Sequence, residues 1–396
     1  MKTLKIGLFG FGCVGQGLYH TLQHSTGFKT RIEKIVVKNR EKLRPIGQEF
    51  FSYDKNDILE NSDINVVIEL IDDAEEAYKI VSTALKNGKN VVTANKKMLA
   101  LHLETLLALA KENSVSLLYE AAACGSIPII RTLEEYFDNE ELSRISGIFN
   151  GTTNYILTKL ASENLEFAAA LKKAQELGFA ESNPESDVEA FDPLYKTIIL
   201  ALHGFGTILK PEQLLRFGIT TLKKGDLDFA SKNNFKIKLV PSIQRLSENR
   251  LSAYVIPKFI PKEHHLAKVD NEFNGVIVEG QFSGEQFFVG RGAGSLPTGA
   301  AVLSDISALS FSYSYENKKL RQQQQPTFSD ELKINIYVSS SKAADLEIFP
   351  FEETFEDFKK NGFYYRTGKI GLAEIKQLET VVRTRKIFVA EIFEQH

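Results

Sequence analysis

Cysteine is scarce in this 396-residue chain: there are two, Cys13 and Cys124. Two thiols cannot build the disulfide framework of a secreted scaffold, so the fold has to rest on apolar cores. No apolar run is long enough to cross a bilayer. The N-terminal MKTLKIGLFGFGCVG turns glycine-rich where a signal peptide would continue its apolar stretch. The cytoplasm is the expected compartment. Basic residues are not gathered into a block, and 48 Lys and Arg against 51 Asp and Glu leave a net charge of −3. Nucleic acid and membrane surfaces are therefore not expected as partners. The seven histidines form no H-E-x-x-H motif and no cluster with cysteine, which argues against catalytic zinc. YVSSSK lacks the strand–elbow–helix surroundings of a serine hydrolase, and no internal repeat of fixed period occurs.

What is present points to an α/β protein. A hydrophobic fraction of 43% supports large cores, and the length suits two or three domains. Strand-like runs LKIGLF, RIEKIVV, INVVIEL, NVVTAN and SVSLLYE are spaced by helical patterns, among them Ala74–Lys86 and Lys97–Glu112. Such alternation implies a Rossmann-type, doubly wound parallel sheet over residues 1–130, completed by a helix near 298–310. An α+β catalytic and dimerisation domain is expected at 131–297. There, helix patterns at Thr152–Ser162, Phe167–Leu177 and Pro193–His203 precede the strand-like FKIKLV, LSAYVIPKFI, GVIVEGQF and FFVG. The polar RQQQQP, residues 321–326, reads as a linker to a small C-terminal α+β module at 327–396.

GFGCVG contributes Gly10, Phe11, Gly12, Cys13, Val14 and Gly15, and fits G-x-G-x-x-G between a strand and a helix. In that setting the first glycine permits the turn and the second lets the backbone approach a pyrophosphate. The third lets helix and strand pack closely, and the helix N-terminus faces the anion. The second strand ends Val36-Val37-Lys38-Asn39-Arg40, without the acid that would bind the ribose hydroxyls of NAD. Lys38 or Arg40 could meet a 2′-phosphate, so NADP is favoured, with NAD still possible. The other reading is that both are solvated loop cations.

Longer segments carry a resemblance. TANKK from Thr93, YEAAACGSIP from Tyr119, GIFNGTTNYIL from Gly147, AQELGFAE from Ala174, DPLYK from Asp192 and GAGSLPT from Gly292 resemble homoserine dehydrogenases in order and spacing. The resemblance spans roughly residues 5–310. It implies NAD(P)-dependent interconversion of L-aspartate 4-semialdehyde and L-homoserine, in threonine, methionine and isoleucine biosynthesis. It also implies a homodimer or higher homo-oligomer. By the resemblance, Glu181 binds the amino-acid substrate, Lys196 gives or takes the proton, and Asp192 supports it. Lys96 lies near nicotinamide and substrate, and the segments bearing Thr93 and Gly292 belong to the cofactor site. A sodium ion is held around Glu120 and the carbonyls of Ala123, Gly125 and Ile127.

The residues make chemical sense independently. Asp192-Pro193 reads as an N-cap followed by the first helical position, which puts Lys196 one turn further along the same face. Oxidising a primary alcohol needs a group that handles the hydroxyl proton. In a closed pocket Lys196 could transfer that proton or polarise the oxygen as a cation. On an exposed helix the same spacing would make an ordinary surface ion pair. Asn183, Glu185, Ala190, Pro193 and PTGAAV depart from the family's usual run, although none removes a residue assigned a role. Cys124 follows a strand end, a position that suits the nucleophile of a thiol-dependent semialdehyde dehydrogenase, but no histidine nearby suggests itself as base. A nicotinamide sensor without turnover is the other rival. Some family members carry an amino-acid-binding ACT domain at the C-terminus; here the βαββαβ pattern is incomplete.

Overall fold

The computed structural model describes residues 3–163, 165–322, 325–360 and 362–393. Two glutamines of the linker read at 321–326 lie outside them. Two compact units are present: residues 1–138 with 291–318, and residues 139–290 with 319–396. No helix among the described residues is long and apolar enough to cross a membrane.

The first unit holds the doubly wound sheet expected from the strand–helix alternation. Its strands are β1 (Leu4–Phe9), β2 (Thr30–Val36), β3 (Phe51–Ser52), β4 (Val66–Glu69), β5 (Asn90–Thr93) and β6 (Leu117–Leu118). All pair in parallel, in the order β3-β2-β1-β4-β5-β6. Ile6, Leu8, Val66, Val67, Ile68, Val91 and Val92 are fully buried, which is why these strands read as apolar runs rather than alternating ones. The Ala74–Lys86 helix lies where its spacing predicts: Ala77, Ile80, Val81, Ala84 and Leu85 face the core. Asp73 caps it by accepting from Glu76 N at 3.0 Å. The helix read near 298–310 spans Ser295–Leu309 and packs on the Cys13–His24 helix, where a Cβ on Gly17 would collide with the carbonyl of Ser295.

The second unit is built on one large, mostly antiparallel sheet. Its strands are β7 (Leu142–Ile148), β8 (Leu215–Arg216), β9 (Phe235–Ser247), β10 (Arg250–Pro261), β11 (Phe273–Gly280), β12 (Gly284–Arg291), β13 (Thr327–Phe328), β14 (Lys333–Ser340), β15 (Glu353–Lys360), β16 (Phe363–Gly371) and β17 (Phe388–Ile392). The main path runs β12-β11-β7-β9-β10-β17-β14-β16-β15, with β8 and β13 also on β10. The helices Gly151–Glu163 and Phe191–Phe205 pack on β9.

Among the described residues, those from 327 onward do not form a sheet of their own. β17 pairs in parallel with β10, Lys258 opposite Glu391, and one apolar cluster joins Leu215, Tyr254 and Ile256 to Ile336, Ile375, Val382 and Val389. Within this segment the order β17-β14-β16-β15 is that of a βαββαβ unit. The position of its first helix is taken by a short turn at Ala343–Asp345.

Candidate active site

In the first unit the glycine-rich turn has the geometry its spacing predicts. Gly10 sits at φ 92°, and a Cβ there would lie 2.5 Å from the Leu70 carbonyl oxygen. A Cβ on Gly15 would lie 2.5 Å from the Gly10 carbonyl, so this glycine lets the helix close on the turn. Gly12 differs: a Cβ there would meet nothing within 4 Å. It is the N-cap of the Cys13–His24 helix and supplies no capping side chain, so its backbone borders open space at an electropositive helix end. Gly294 begins the Ser295–Leu309 helix in the same uncapped way, and Ser295 Oγ donates to Cys13 O at 2.8 Å. Phe11 is buried against Tyr19 and Phe51, whereas Val14 is half-buried and Cys13 exposed. The residues present therefore fit a dinucleotide's pyrophosphate.

Lys38 and Arg40 lie beyond the end of β2, both exposed, with the Arg40 guanidinium 4.8 Å over the Tyr53 ring. At the ends of β4 and β5, Thr93 is buried and donates to Glu69 Oε2 at 2.5 Å, while Ile71 N donates to Glu69 Oε1 at 2.7 Å. Asn95 N in turn donates to Thr93 Oγ1 at 3.0 Å, and the Asn95 side chain caps the Lys96–Glu112 helix. Lys96 is half-buried at the first position of that helix.

Burial pushes the Glu69 carboxyl up to about 7 despite those hydrogen bonds. A carboxyl raised above its ordinary 4.5 contributes stability that is complete below that pH and is lost as pH climbs through about 7. Wild-type protein should therefore lose more of its thermal midpoint between about pH 5 and 8 than Glu69→Gln does. Equal slopes in scanning calorimetry would remove this reading.

Glu120 is buried, with its two oxygens accepting from Ile130 N at 2.8 Å and Arg131 N at 2.9 Å. Ala123, Gly125 and Ile127 follow as buried backbone, Ile127 O accepting from Ile129 N at 2.8 Å. A Cβ on Gly125 would strike the carbonyls of Arg291 and buried Gly292. A carboxylate and several carbonyls are a hard-oxygen donor set, which suits a monovalent or alkaline-earth cation better than a soft metal.

In the second unit, Lys196 and Asp192 form an ion pair at 2.8 Å with side-chain exposures of only 8% and 4%. That rules out the exposed surface pair as the reading of this spacing. Lys196 Nζ also donates to Phe149 O at 2.7 Å. The N-cap reading of Asp192 needs correction. The helix is Phe191–Phe205, two residues earlier than Asp-Pro implies, and its N-cap is Ala190 in the left-handed region at φ 64°. Asp192 thus lies inside the first turn, where its carboxylate meets Lys196. Glu181 is exposed in the preceding loop, where its carbonyl accepts from Gln175 Nε2 at 3.0 Å.

One organising residue escaped the sequence reading. Asn150 donates from Nδ2 to Asp187 Oδ1 at 2.7 Å and to Asp192 Oδ2 at 2.8 Å. Its Oδ1 meanwhile accepts from Thr153 N at 2.8 Å at the start of the Gly151–Glu163 helix. The available signal was local: Asn ahead of GTTNYIL is a good N-cap. Nothing nearby in sequence announces its contact with Asp192.

The chain matches the family models described as "Homoserine dehydrogenase" over residues 128–307 and "Homoserine dehydrogenase, NAD binding domain" over residues 10–120. A Bacillus subtilis homoserine dehydrogenase is 39% identical over 78% of this chain and 73% of its own length. The crystal structure of a Thiobacillus denitrificans homoserine dehydrogenase superposes with a TM-score of 0.86 at 27% identity, covering 100% of this chain and 99% of that one. A hyperthermophilic archaeal homoserine dehydrogenase solved in complex with NADPH gives a TM-score of 0.69 at 25% identity, covering 79% of this chain and 99% of that one.

Proposed function

We propose how this chain, which belongs to the homoserine dehydrogenase family of NAD(P)-dependent oxidoreductases, divides the family's reaction among its own residues. That reaction interconverts L-aspartate 4-semialdehyde and L-homoserine. The observation that carries the assignment is the buried Asp192–Lys196 pair, oriented by Asn150 and the Phe149 carbonyl. A primary ammonium has three donors. Two are directed at Asp192 and Phe149 O, and the third is assigned to the reacting oxygen of the substrate. In the reducing direction this hydrogen bond stabilises charge growing on the aldehyde oxygen and places a proton donor beside it. Asp192 holds the lysine in place. Glu181, exposed in its loop, is assigned to the substrate ammonium.

Gly10–Gly15 and the uncapped Gly294 end of the Ser295–Leu309 helix are assigned to the cofactor's pyrophosphate, with Gly292, Thr93 and Lys96 completing the cofactor set. Bound NADPH supplies the hydride. Lys38 and Arg40 are assigned to its 2′-phosphate, since β2 carries no terminal acid. A sodium ion is assigned to Glu120 and the carbonyls of Ala123, Gly125 and Ile127, as a structural brace. A homodimer through the sheet of the second unit belongs to the same reading, as does a place in threonine, methionine and isoleucine synthesis. Its support is the outer strand β12, near which Phe282 and Val289 are 77% and 53% exposed.

The test is NADPH oxidation followed by absorbance with L-aspartate 4-semialdehyde, repeated with NADH. Turnover with neither cofactor would overturn the assignment. Replacing both Lys38 and Arg40 with alanine should lower the NADPH:NADH ratio of kcat/KM by about 10–100-fold, since hydrogen bonds to charged groups contribute about 1.5–3 kcal/mol. An unmoved ratio would return both residues to the solvated loop.

A further inference from the structure

The catalytic helix starts from a residue in an unfavourable conformation, and what holds that residue comes largely from far along the chain. Ala190 is left-handed at φ 64°, ψ 25°, a region that side chains bearing a Cβ avoid unless their surroundings impose it. It joins the Glu185–Val188 turn to Phe191, and Asp192 is two residues on. Each neighbour of Ala190 is gripped. Val188 O accepts from Ile219 N at 2.9 Å, and Glu189 O accepts from Arg216 Nη1. The Arg216 guanidinium also stacks on the Phe191 ring, 3.5 Å from its centroid. Thr220 Oγ1 donates to Glu189 Oε1 at 2.5 Å.

The last grip is Arg383, on the helix Glu379–Arg385. Its Nη1 donates to Glu189 Oε2 at 3.4 Å, and its Nη2 donates to the Arg216 carbonyl and, at 2.8 Å, to Glu379 Oε1. One guanidinium therefore ties the Glu189 side chain to the main chain of the arginine that holds both flanks of Ala190. The arrangement is costly by itself. Burial, and then the adjacent Arg383 charge, push the Arg216 guanidinium down to about 10, and Glu379 and Glu189 offset that repulsion. Two half-buried arginines are better justified as a clamp than as surface decoration.

We propose that Arg383 is a positioning residue for the dehydrogenase reaction: through Glu189 and Arg216 it fixes the left-handed Ala190 and with it the approach of Asp192 to Lys196. Residues 327–396 are then a working part of the amino-acid site. The proposal rests on the assignment of Lys196 and Asp192 made above.

It makes a specific demand of position 190. If Arg383 acts by imposing the left-handed backbone, glycine at 190, which adopts that conformation freely, should make Arg383 largely dispensable. In the full chain, Arg383→Ala should lower kcat with L-aspartate 4-semialdehyde about tenfold and leave KM for NADPH within about twofold, because small misplacements of reacting groups are costly. Arg383→Lys, which keeps the charge and loses the fork, should fall between. Adding Ala190→Gly to either variant should restore kcat to within about threefold of wild type. A merely structural contact has no reason to be rescued at that one position. If Arg383→Ala does not fold, rescue of Arg383→Lys by Ala190→Gly remains the deciding comparison. Wild-type kcat in Arg383→Ala, or lost kcat that glycine does not restore, overturns the proposal. A wild-type enzyme indifferent to Lys196→Ala would remove the underlying site assignment as well, a result distinguishable from indifference to Arg383 alone.

Discussion

Lys196→Ala should lower kcat for reduction of L-aspartate 4-semialdehyde by about 10²–10⁴-fold while leaving NADPH affinity within about twofold. The expectation follows from how the lysine is held. Its Nζ is fixed by Asp192 at 2.8 Å and by Phe149 O at 2.7 Å, and the side chain is 8% exposed. An exposed pair at the same i,i+4 spacing would contribute only about 0.3–0.5 kcal/mol, and its loss would hardly be noticed. Here the ammonium is preorganised, so in the role proposed for it, its removal takes away both the proton donor and the charge meant for the substrate oxygen. Some stability should go too, because Asp192 is left in a buried site without the ammonium that neutralises it. Lys196→Met removes the same charge but keeps the length of the side chain, so a matching loss of kcat in both variants traces it to the ammonium and not to a cavity. Steady-state kinetics with a fluorescence titration of NADPH is the measurement. A kcat that survives in both variants would take the chemistry away from this residue.

The second large effect separates two glycines that look alike in the sequence. Gly12→Val should leave the fold intact and raise KM for NADPH by about 10–100-fold, because its side chain would occupy space left for the pyrophosphate and block several charge-assisted hydrogen bonds. No heavy atom lies within 4 Å of where its Cβ would be, so the apoprotein has nothing to clash with. Gly10→Ala should do the reverse. Its φ of 92° is strained for any side chain, and its Cβ would sit 2.5 Å from the Leu70 carbonyl, on backbone that cannot swing away. Thermal melts should therefore drop for Gly10→Ala and not for Gly12→Val. Equal melts, or NADPH binding undisturbed in Gly12→Val, would remove the assignment of this turn to the pyrophosphate.

These glycines show where sequence reading was strong. β1, β4 and β5 are buried on both faces, so their apolar runs mark them, β1 to the residue and β4 and β5 with a slight overshoot. The Ala74–Lys86 helix announced itself through its helical apolar spacing, to which the structure adds the Asp73 cap. β15, ETFEDFKK, escaped because it is a mostly exposed edge strand whose charges suit solvent and carry no period-two apolar signal. β7 escaped because Ser143, Arg144, Ser146 and Gly147 interrupt its apolar positions. The site was legible as a list of residues and not as an arrangement. Asp-Pro looked like a helix start because a cap is a local pattern. The left-handed Ala190, which shifts the true start by two residues, is imposed by tertiary contacts. Asn150 meets Asp192 across 42 residues of sequence, a pairing that no local pattern encodes.

The placement of β17 sets an order on how the chain can be made. It lies between β10 and β14, yet it follows β10 by roughly 130 residues. At about 5–20 residues per second, a ribosome would take on the order of ten seconds to deliver it after β10 has emerged. Throughout that interval the Lys258–Phe259 stretch of β10 that β17 will pair is open to other strands, and Lys258 lacks the carboxylate of Glu391 that meets it at 2.6 Å in the finished sheet. A lysine on that waiting edge resists pairing with strangers and becomes tolerable to bury only when its own partner arrives. The residue that looks like a liability in the native core is thus suited to guard the nascent one.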